Sequence, residues 1–230
     1  MLGTIVNVAA IAFGAAFGLL FRKGISEKVS CTIMQGIGLA VLLVGSSMAL
    51  QTKQVLVVIL SMVLGGLTGG LLNIEGGLAR LGKWLEEKVG GETGEVGKAF
   101  VTASLVYCVG AMAIMGAIED GLNNNPQILF AKAALDGISA IVFASTMGIG
   151  VIFSLFPVFI YQGSITLLAV YVKGFLVPDA VAEMTATGGL LIVGIALNIL
   201  GIKDIKVGNL LPAIFYALPL TLLLSKIIPV

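Results

Sequence analysis

Apolar residues run along this chain in unbroken blocks of about twenty, interrupted at charges, prolines and polar clusters, and do not alternate with polar ones. A helix rising 1.5 Å per residue needs roughly 20 apolar residues to cross the ~30 Å hydrocarbon core of a bilayer, so each block has the length of one membrane span. Eight blocks fall near 4–22, 31–50, 54–73, 98–118, 127–150, 152–173, 186–202 and 207–228. The fifth and sixth are poorly separated, with only Gly148, Gly150 and Pro157 to mark a bend or break. The pattern predicts an all-α, polytopic transmembrane helical bundle of seven to eight spans. In the seven-span version one of these two blocks is re-entrant or fused.

Residues 74–97 break the pattern. Ile74, Leu78, Leu81 and Leu85 recur at helical spacing beside Trp84, with Arg80, Lys83, Glu86, Glu87 and Lys88 on other faces, until Gly90, Gly91 and Gly94 end the run. Such a helix lies in the membrane surface with tryptophan at headgroup depth. The expected organisation is one transmembrane domain over 1–230 with 74–97 as its amphipathic connecting segment.

Composition narrows the function. Hydrophobic residues make up 58% of the chain and charged residues 11%, at a mean hydropathy of +1.12, whereas charged residues form roughly a quarter of a soluble domain. Lipid is therefore the expected solvent and partner. A net charge of +1 without a basic run excludes a nucleic-acid surface. Two isolated cysteines, Cys31 and Cys108, and no histidine leave no zinc pattern and no Ser/His/Asp or Cys/His triad, so no metal, no cofactor and no enzymatic activity are expected. The N-terminal block has no basic region before it and reads as a retained span rather than a signal peptide.

Basic residues orient the spans, because Lys and Arg in short loops stay on the cytoplasmic side. With the N-terminus outside, eight spans place Arg22, Lys23, Lys28, Arg80, Lys83, Lys88, Lys98, Lys203 and Lys206 inside and only Lys53, Lys173 and Lys226 outside. The expected location is a bacterial inner membrane, with 74–97 in the cytoplasm. Residues 35–53 echo 187–203 in their glycine, leucine and closing lysine pattern. Spans two and seven cross in opposite directions, as an inverted repeat requires.

Within AKAALDG at 131–137, Lys132 and Asp136 are four apart and share a helix face. Each charge alone costs about 2.5–3.5 kcal/mol at a helix centre in a membrane, which makes Asp136 a functional candidate with Lys132 as its partner. A snorkelling Lys132 near the interface is the structural alternative. In LFPVFIYQGSITLL at 155–168, Pro157 disturbs a turn, and Gln162 and Ser164 put polar groups at depth, where an amide must be bonded or face water or ligand. Interhelical bonding is their structural alternative. Asn7 and Asn198 stand out among the smaller signals, which include Ser104, because mid-helix asparagine lacks the local backbone bonding habit of serine. The pair Glu119 and Asp120 leads into the turn-rich 121–126, read as an outer loop. Glycines at 14 and 18, 65–70, and 188–189 form faces for close helix packing.

The segments SLVYCVGAMAIMGAIEDGL (104–122), KAALDGISAIVFASTMGIGV (132–151), FPVFIYQGSITLLA (156–169) and NIEGGLARLG (73–82) resemble the bacterial membrane proteins of the domain-of-unknown-function 554 family. That resemblance implies an integral membrane protein of seven or eight spans, described as a transporter without an assigned substrate, and brings no functional residue with it. The leading expectation is a transporter or permease for a small solute or monovalent cation. Asp136, Lys132, Gln162, Ser164, Asn7 and Asn198 form the candidate site, and helices broken around Gly137, Gly148, Gly150 and Pro157 frame it. The alternative is a non-transporting scaffold or sensor that presents 74–97 to a partner. Assembly into a homo-oligomer is compatible with either.

Overall fold

The computed structural model describes residues 1–22, 27–89, 95–174 and 176–227; Lys23 and the glycines at 90, 91 and 94 lie outside them. Every regular element among the described residues is helical. The first span is α1 (Leu2–Arg22), followed by α2 (Glu27–Ala49), α3 (Val55–Leu72) and α4 (Ile74–Val89). Next come α5 (Glu95–Cys108), α6 (Ala111–Asn123) and α7 (Gln127–Met147). A 3₁₀ turn at Ile149–Ser154 leads into α8 (Leu155–Leu167), α9 (Ala169–Val172) and α10 (Pro178–Ile199). A second 3₁₀ turn, Val207–Leu210, precedes α11 (Pro212–Ile227).

Seven of these segments have the length and apolarity to cross a membrane, and α5 with α6 pass the same test only as a pair bent by 58°, which sets the count at seven or eight. Large apolar side chains such as Phe13, 77% exposed, and Leu71, 81% exposed, face outward, as a lipid solvent allows and water does not. Several boundaries follow proline chemistry: Pro178 and Pro212 each open a helix, where a missing N–H costs nothing. Gly148, at φ 85°, closes α7 and turns the chain directly into the 3₁₀ start of the next span, a conformation that L side chains rarely adopt. Pro157 falls in the first turn of α8, and Gly137 stays helical within α7, so neither breaks its helix.

The chain divides into two compact units. The first comprises Met1–Ile37, Leu78–Cys108 and Met112–Val172. Its central seam is α1 against α7. A Cβ on Gly14 would collide with the carbonyl of Gly137, and one on Gly18 with that of Ile141, so the two backbones touch. Gly3 meets Leu129 and Gly18 meets Ile141, so numbers rise together and the helices run parallel. The pairs Asn7–Gln162 and Thr4–Thr166 run the other way, making α8 antiparallel to α1.

Parallel α1 and α7 require an odd number of crossings between them; with α2 and α3 as two candidate spans, a single crossing by α5 and α6 together predicts eight. The bend lies at Val109–Gly110, with Gly110 at φ 135°.

The second unit comprises Gly38–Gly77, Val109–Ala111 and Lys173–Val230. The C-terminal half of α2 packs antiparallel on α10, with Gly45 against Gly189 and Gly38 against Leu200. These are the two stretches whose sequences echo one another, now seen as packing partners. In α3, Gly65 and Gly69 admit the backbone of Ala213 and Asn209. The seventh span starts at Pro178, eight residues before the apolar block that marks it in the sequence, so Asp179 and Glu183 belong to the helix. It is also the most enclosed of the seven long apolar helices, 78% buried against 39% or less for the other six.

Candidate functional site

In the first unit α7 carries Lys132 and Asp136 one turn apart on its buried face. The Lys132 Nζ donates to both carboxylate oxygens, at 2.9 Å to Oδ1 and 2.7 Å to Oδ2, and each residue is only 6% exposed. Asp136 is the tenth of the 21 residues of α7, which places its backbone near mid-depth. Lys132 does not snorkel away from it.

The α1–α7 seam brings the third member. Asparagine is short, and Asn7 reaches the pair because the glycine contacts bring the two backbones together. Its Nδ2 donates to Asp136 Oδ2 at 3.0 Å and to Gln162 Oε1 of α8 at 3.2 Å. Asn7 and Gln162 are fully buried. The two hydrogens of Asn7 Nδ2 are thus used, while its Oδ1 and the Gln162 Nε2 have no hydrogen-bond partner. Native proteins satisfy most buried polar atoms, so one spare acceptor and one spare donor beside a buried ion pair are unusual.

Further polar groups extend the cluster along the first unit. Toward the start of α1, Thr4 Oγ1 lies 3.5 Å from Thr166 Oγ1, and Asp120 accepts from the backbone N–H of Gly3 at 3.1 Å and from the Met1 amino group at 2.9 Å. Asp120 belongs to α6 and is 3% exposed, so it caps a helix start in place of lying in an outer loop. Glu119 instead pairs with Asn123 at the surface. In the other direction, Tyr107 of α5 is fully buried and stacked on Phe143, and neither its hydroxyl nor the Ser104 hydroxyl has a partner.

Four of the six residues singled out in the sequence, Asn7, Lys132, Asp136 and Gln162, therefore meet in one hydrogen-bonded cluster built from α1, α7 and α8. Ser164 is exposed on α8 and stands apart from it. Asn198 belongs to the second unit, where both ends of its amide bond the backbone of Ile205 at 2.8 Å and fasten the turn after α10. Among the described residues no three His, Cys, Asp or Glu side chains converge on a metal-sized site.

A third buried carboxylate has no sign in the hydropathy pattern. Glu183, 1% exposed on α10, accepts from the backbone N–H of Lys53 at 2.7 Å and of Gln54 at 3.0 Å, and from Thr52 Oγ1 at 2.6 Å. It gathers the loop that starts α3, a helix N-terminus with no cap of its own. Lys53 points outward and bonds Asp179 at 2.7 Å; that hydrogen bond and the carboxylate's charge hold the ammonium above its ordinary 10.5. The signal for this arrangement was Pro178-Asp179, a helix-opening pair that extends the span back over Glu183.

The sequence model of the family described as "Protein of unknown function (DUF554)" matches residues 2–222. The chain is 34% identical over 218 residues to the uncharacterized membrane protein YdfK of Bacillus subtilis (strain 168), covering 93% of each. It is 28% identical over 228 residues to the uncharacterized protein YqgA of Escherichia coli (strain K12), covering 96% of each. No solved structure matches.

Proposed function

The chain belongs to the DUF554 family of membrane proteins, and from that premise we propose that it is a transporter or permease for a small solute or ion, with Asp136 as the charge-bearing group of its site. One observation carries this reading. An ion pair held at depth in a membrane bundle adjoins two amide atoms, Asn7 Oδ1 and Gln162 Nε2, that nothing in the protein satisfies. Buried charge in a membrane is costly and is retained where it serves a pathway, and a free acceptor and donor beside it offer a polar cargo its bonds.

The residues divide the work. Asp136 takes the cation or proton, Lys132 neutralises the carboxylate in the absence of cargo, and Asn7 and Gln162 offer an acceptor and a donor to a polar group. Access follows from the mechanics of the three helices. The glycine seam ties α1 to α7, whereas within the cluster α8 joins α1 through the 3.2 Å bond from Asn7 to Gln162. Parting of α8 from the α1–α7 pair opens the cluster without disturbing the seam. The membrane is a bacterial inner membrane, with the N-terminus outside and α4 on the cytoplasmic face, as the loop lysines and arginines orient it.

Reconstitution tests the proposal. Wild-type proteoliposomes accumulate at least one of labelled sodium, labelled rubidium or protons, the last read by a trapped pH dye. Asp136→Asn loses that flux while eluting as a monodisperse, helical protein. Wild-type flux from the folded variant removes Asp136 from the mechanism.

A second reading, a scaffold that presents α4, is favoured by the exposure of Leu81 at 41% and Trp84 at 54% on that helix. Under it, replacing Lys132 and Asp136 together by apolar residues is tolerated, whereas under the transport reading it abolishes flux.

A further inference from the structure

We propose that the cluster also has an anion half, in which the Lys132 ammonium and the Gln162 Nε2 take a small monocarboxylate while Asp136 holds a positive charge. The inference rests on the transport reading and names the second part of its cargo.

Charge balance leads to it. One ammonium covers both oxygens of Asp136, at 2.9 and 2.7 Å, so a positive charge that reaches the carboxylate parts Lys132 from it. The groups facing the pair give the parted ammonium no other anion. From α1 comes Asn7 and from α8 Gln162, both uncharged. From α5, Tyr107 and Cys108 stand within electrostatic reach, and neither is a carboxylate. Asp120, farther along toward the start of α1, is taken by the Met1 amino group and the Gly3 N–H. An unpaired charge inside a membrane is costly, and charges interact far more there than in water, so the cation arrives with an anion.

A donor for that anion is already in place. Gln162 is fully buried, its Oε1 accepts from Asn7, and its Nε2 has no partner. Three successive hydrogen bonds, of 2.7, 3.0 and 3.2 Å, link Lys132 Nζ through Asp136 and Asn7 to Gln162, so both donors belong to one cluster. A cation can use neither of them, because an amide NH₂ and an ammonium offer only hydrogens. Carboxylate is the anion that fits. Lys132 already bonds two oxygens on one carbon in Asp136, and an incoming carboxylate gives one oxygen to the ammonium and the other to the amide. A single ammonium balances one negative charge and not two. The step is an exchange of partners: the Lys132–Asp136 contact opens, Asp136 meets the positive charge beside the unpartnered Asn7 Oδ1, and Lys132 meets the carboxylate. No covalent bond changes, and the net buried charge is zero before and after. The two charges come as separate ions or as the two ends of one zwitterion.

The test is equilibrium dialysis of purified full-length protein in detergent against carbon-labelled formate, pyruvate and glycine, with choline and a bulky sulfonate as the background salt. Wild type binds at least one of the three saturably, approaching about one per chain. For separate ions, Asp136→Asn, whose Lys132 has no internal counter-charge, binds formate or pyruvate about tenfold more tightly than wild type in choline, and sodium or rubidium narrows that gap. For a zwitterion, wild type binds glycine whichever cation is present, and Asp136→Asn loses it. In either case Lys132→Gln and Gln162→Leu weaken binding about tenfold or more, whereas Lys132→Arg, which keeps a carboxylate-binding charge, retains it. Absence of binding of all three probes to folded wild type overturns the inference. So does undiminished binding by Lys132→Gln and Gln162→Leu, or full displacement of the label by an equal concentration of chloride. If no carboxylate binds while Asp136→Asn still abolishes cation flux, the anion half is wrong and the transport reading stands; unchanged flux in Asp136→Asn removes the transport reading itself.

Discussion

Asn7 shows how one residue acquires its role from the backbone beneath it. Its side chain spans the short gap to Asp136 because glycines at 14 and 137 let the two helices touch. Replacement by alanine strips Asp136 Oδ2 of a donor and Gln162 Oε1 of its partner, and is expected to lower thermal stability by about 1–3 kcal/mol as read from the unfolding midpoint. Gln162→Leu keeps volume and removes the amide, so flux should fall at least tenfold, whereas Ser164→Ala, on an exposed position, should leave it within twofold. Asn198→Ala separates structure from function. It loses two bonds to Ile205, costs about 1–2 kcal/mol in the same melt, and leaves flux within twofold. The sequence named all four residues for the same reason, a polar side chain in an apolar run. It could not tell them apart, because what distinguishes Asn7 from Asn198 is the partner each meets after folding. Glu183 passed unnoticed for the opposite reason: it lies among polar residues ahead of the apolar block, and only the Pro178 start of α10 draws it inside.

At the scale of elements, hydropathy located the spans well, since lipid demands about twenty apolar residues from any helix that crosses it. The breaks were harder. The α7–α8 turn needs a positive φ at Gly148 and nothing else, and the α5–α6 bend at Gly110 falls within a run that reads as one uninterrupted span. Composition leaves the count at seven or eight, and the parallel run of α1 and α7 predicts eight. In a background lacking the native cysteines, Gln51→Cys and Asn123→Cys should react with a membrane-impermeant thiol reagent from the same side, and Lys203→Cys from the other. Labelling of 51 and 123 from opposite sides would mean that α5–α6 turns back. The glycine seam makes a harsher prediction. Gly14→Leu forces α1 off the carbonyl of Gly137, so it should cost several kcal/mol through overpacking and abolish folded yield in a detergent-stability assay.

At the scale of the whole molecule, each compact unit buries a well-bonded carboxylate near a helix start, Asp120 for α1 and Glu183 for the loop before α3, and among the described residues it is the first unit that adds a buried ion pair with unsatisfied neighbours. Fold class was legible because one solvent, lipid, dictates it; the pairing of helices was not, because glycine-rich spans offer many equivalent partners. The exposed Lys53–Asp179 pair gives the pH dependence a defined sign. The folded-state value of Lys53 lies above its ordinary 10.5, so the pair's contribution is complete below that pH and fades as pH rises through the folded value. Melting midpoints of wild type and Lys53→Gln should therefore differ by a constant amount from neutral pH to about 10 and converge above it. High salt should shrink the difference throughout, since both side chains are more than 60% exposed.

The parallel seam between the first span and the fifth has a consequence for synthesis. Asn7 and Asp136 are 129 positions apart, and a ribosome adds about 5–20 residues each second, so the opening helix waits about 6–26 s without the carboxylate its amide meets in the folded protein. A nascent chain stalled before residue 127 leaves that amide stranded, a ready mark for membrane proteases that clear unfinished proteins.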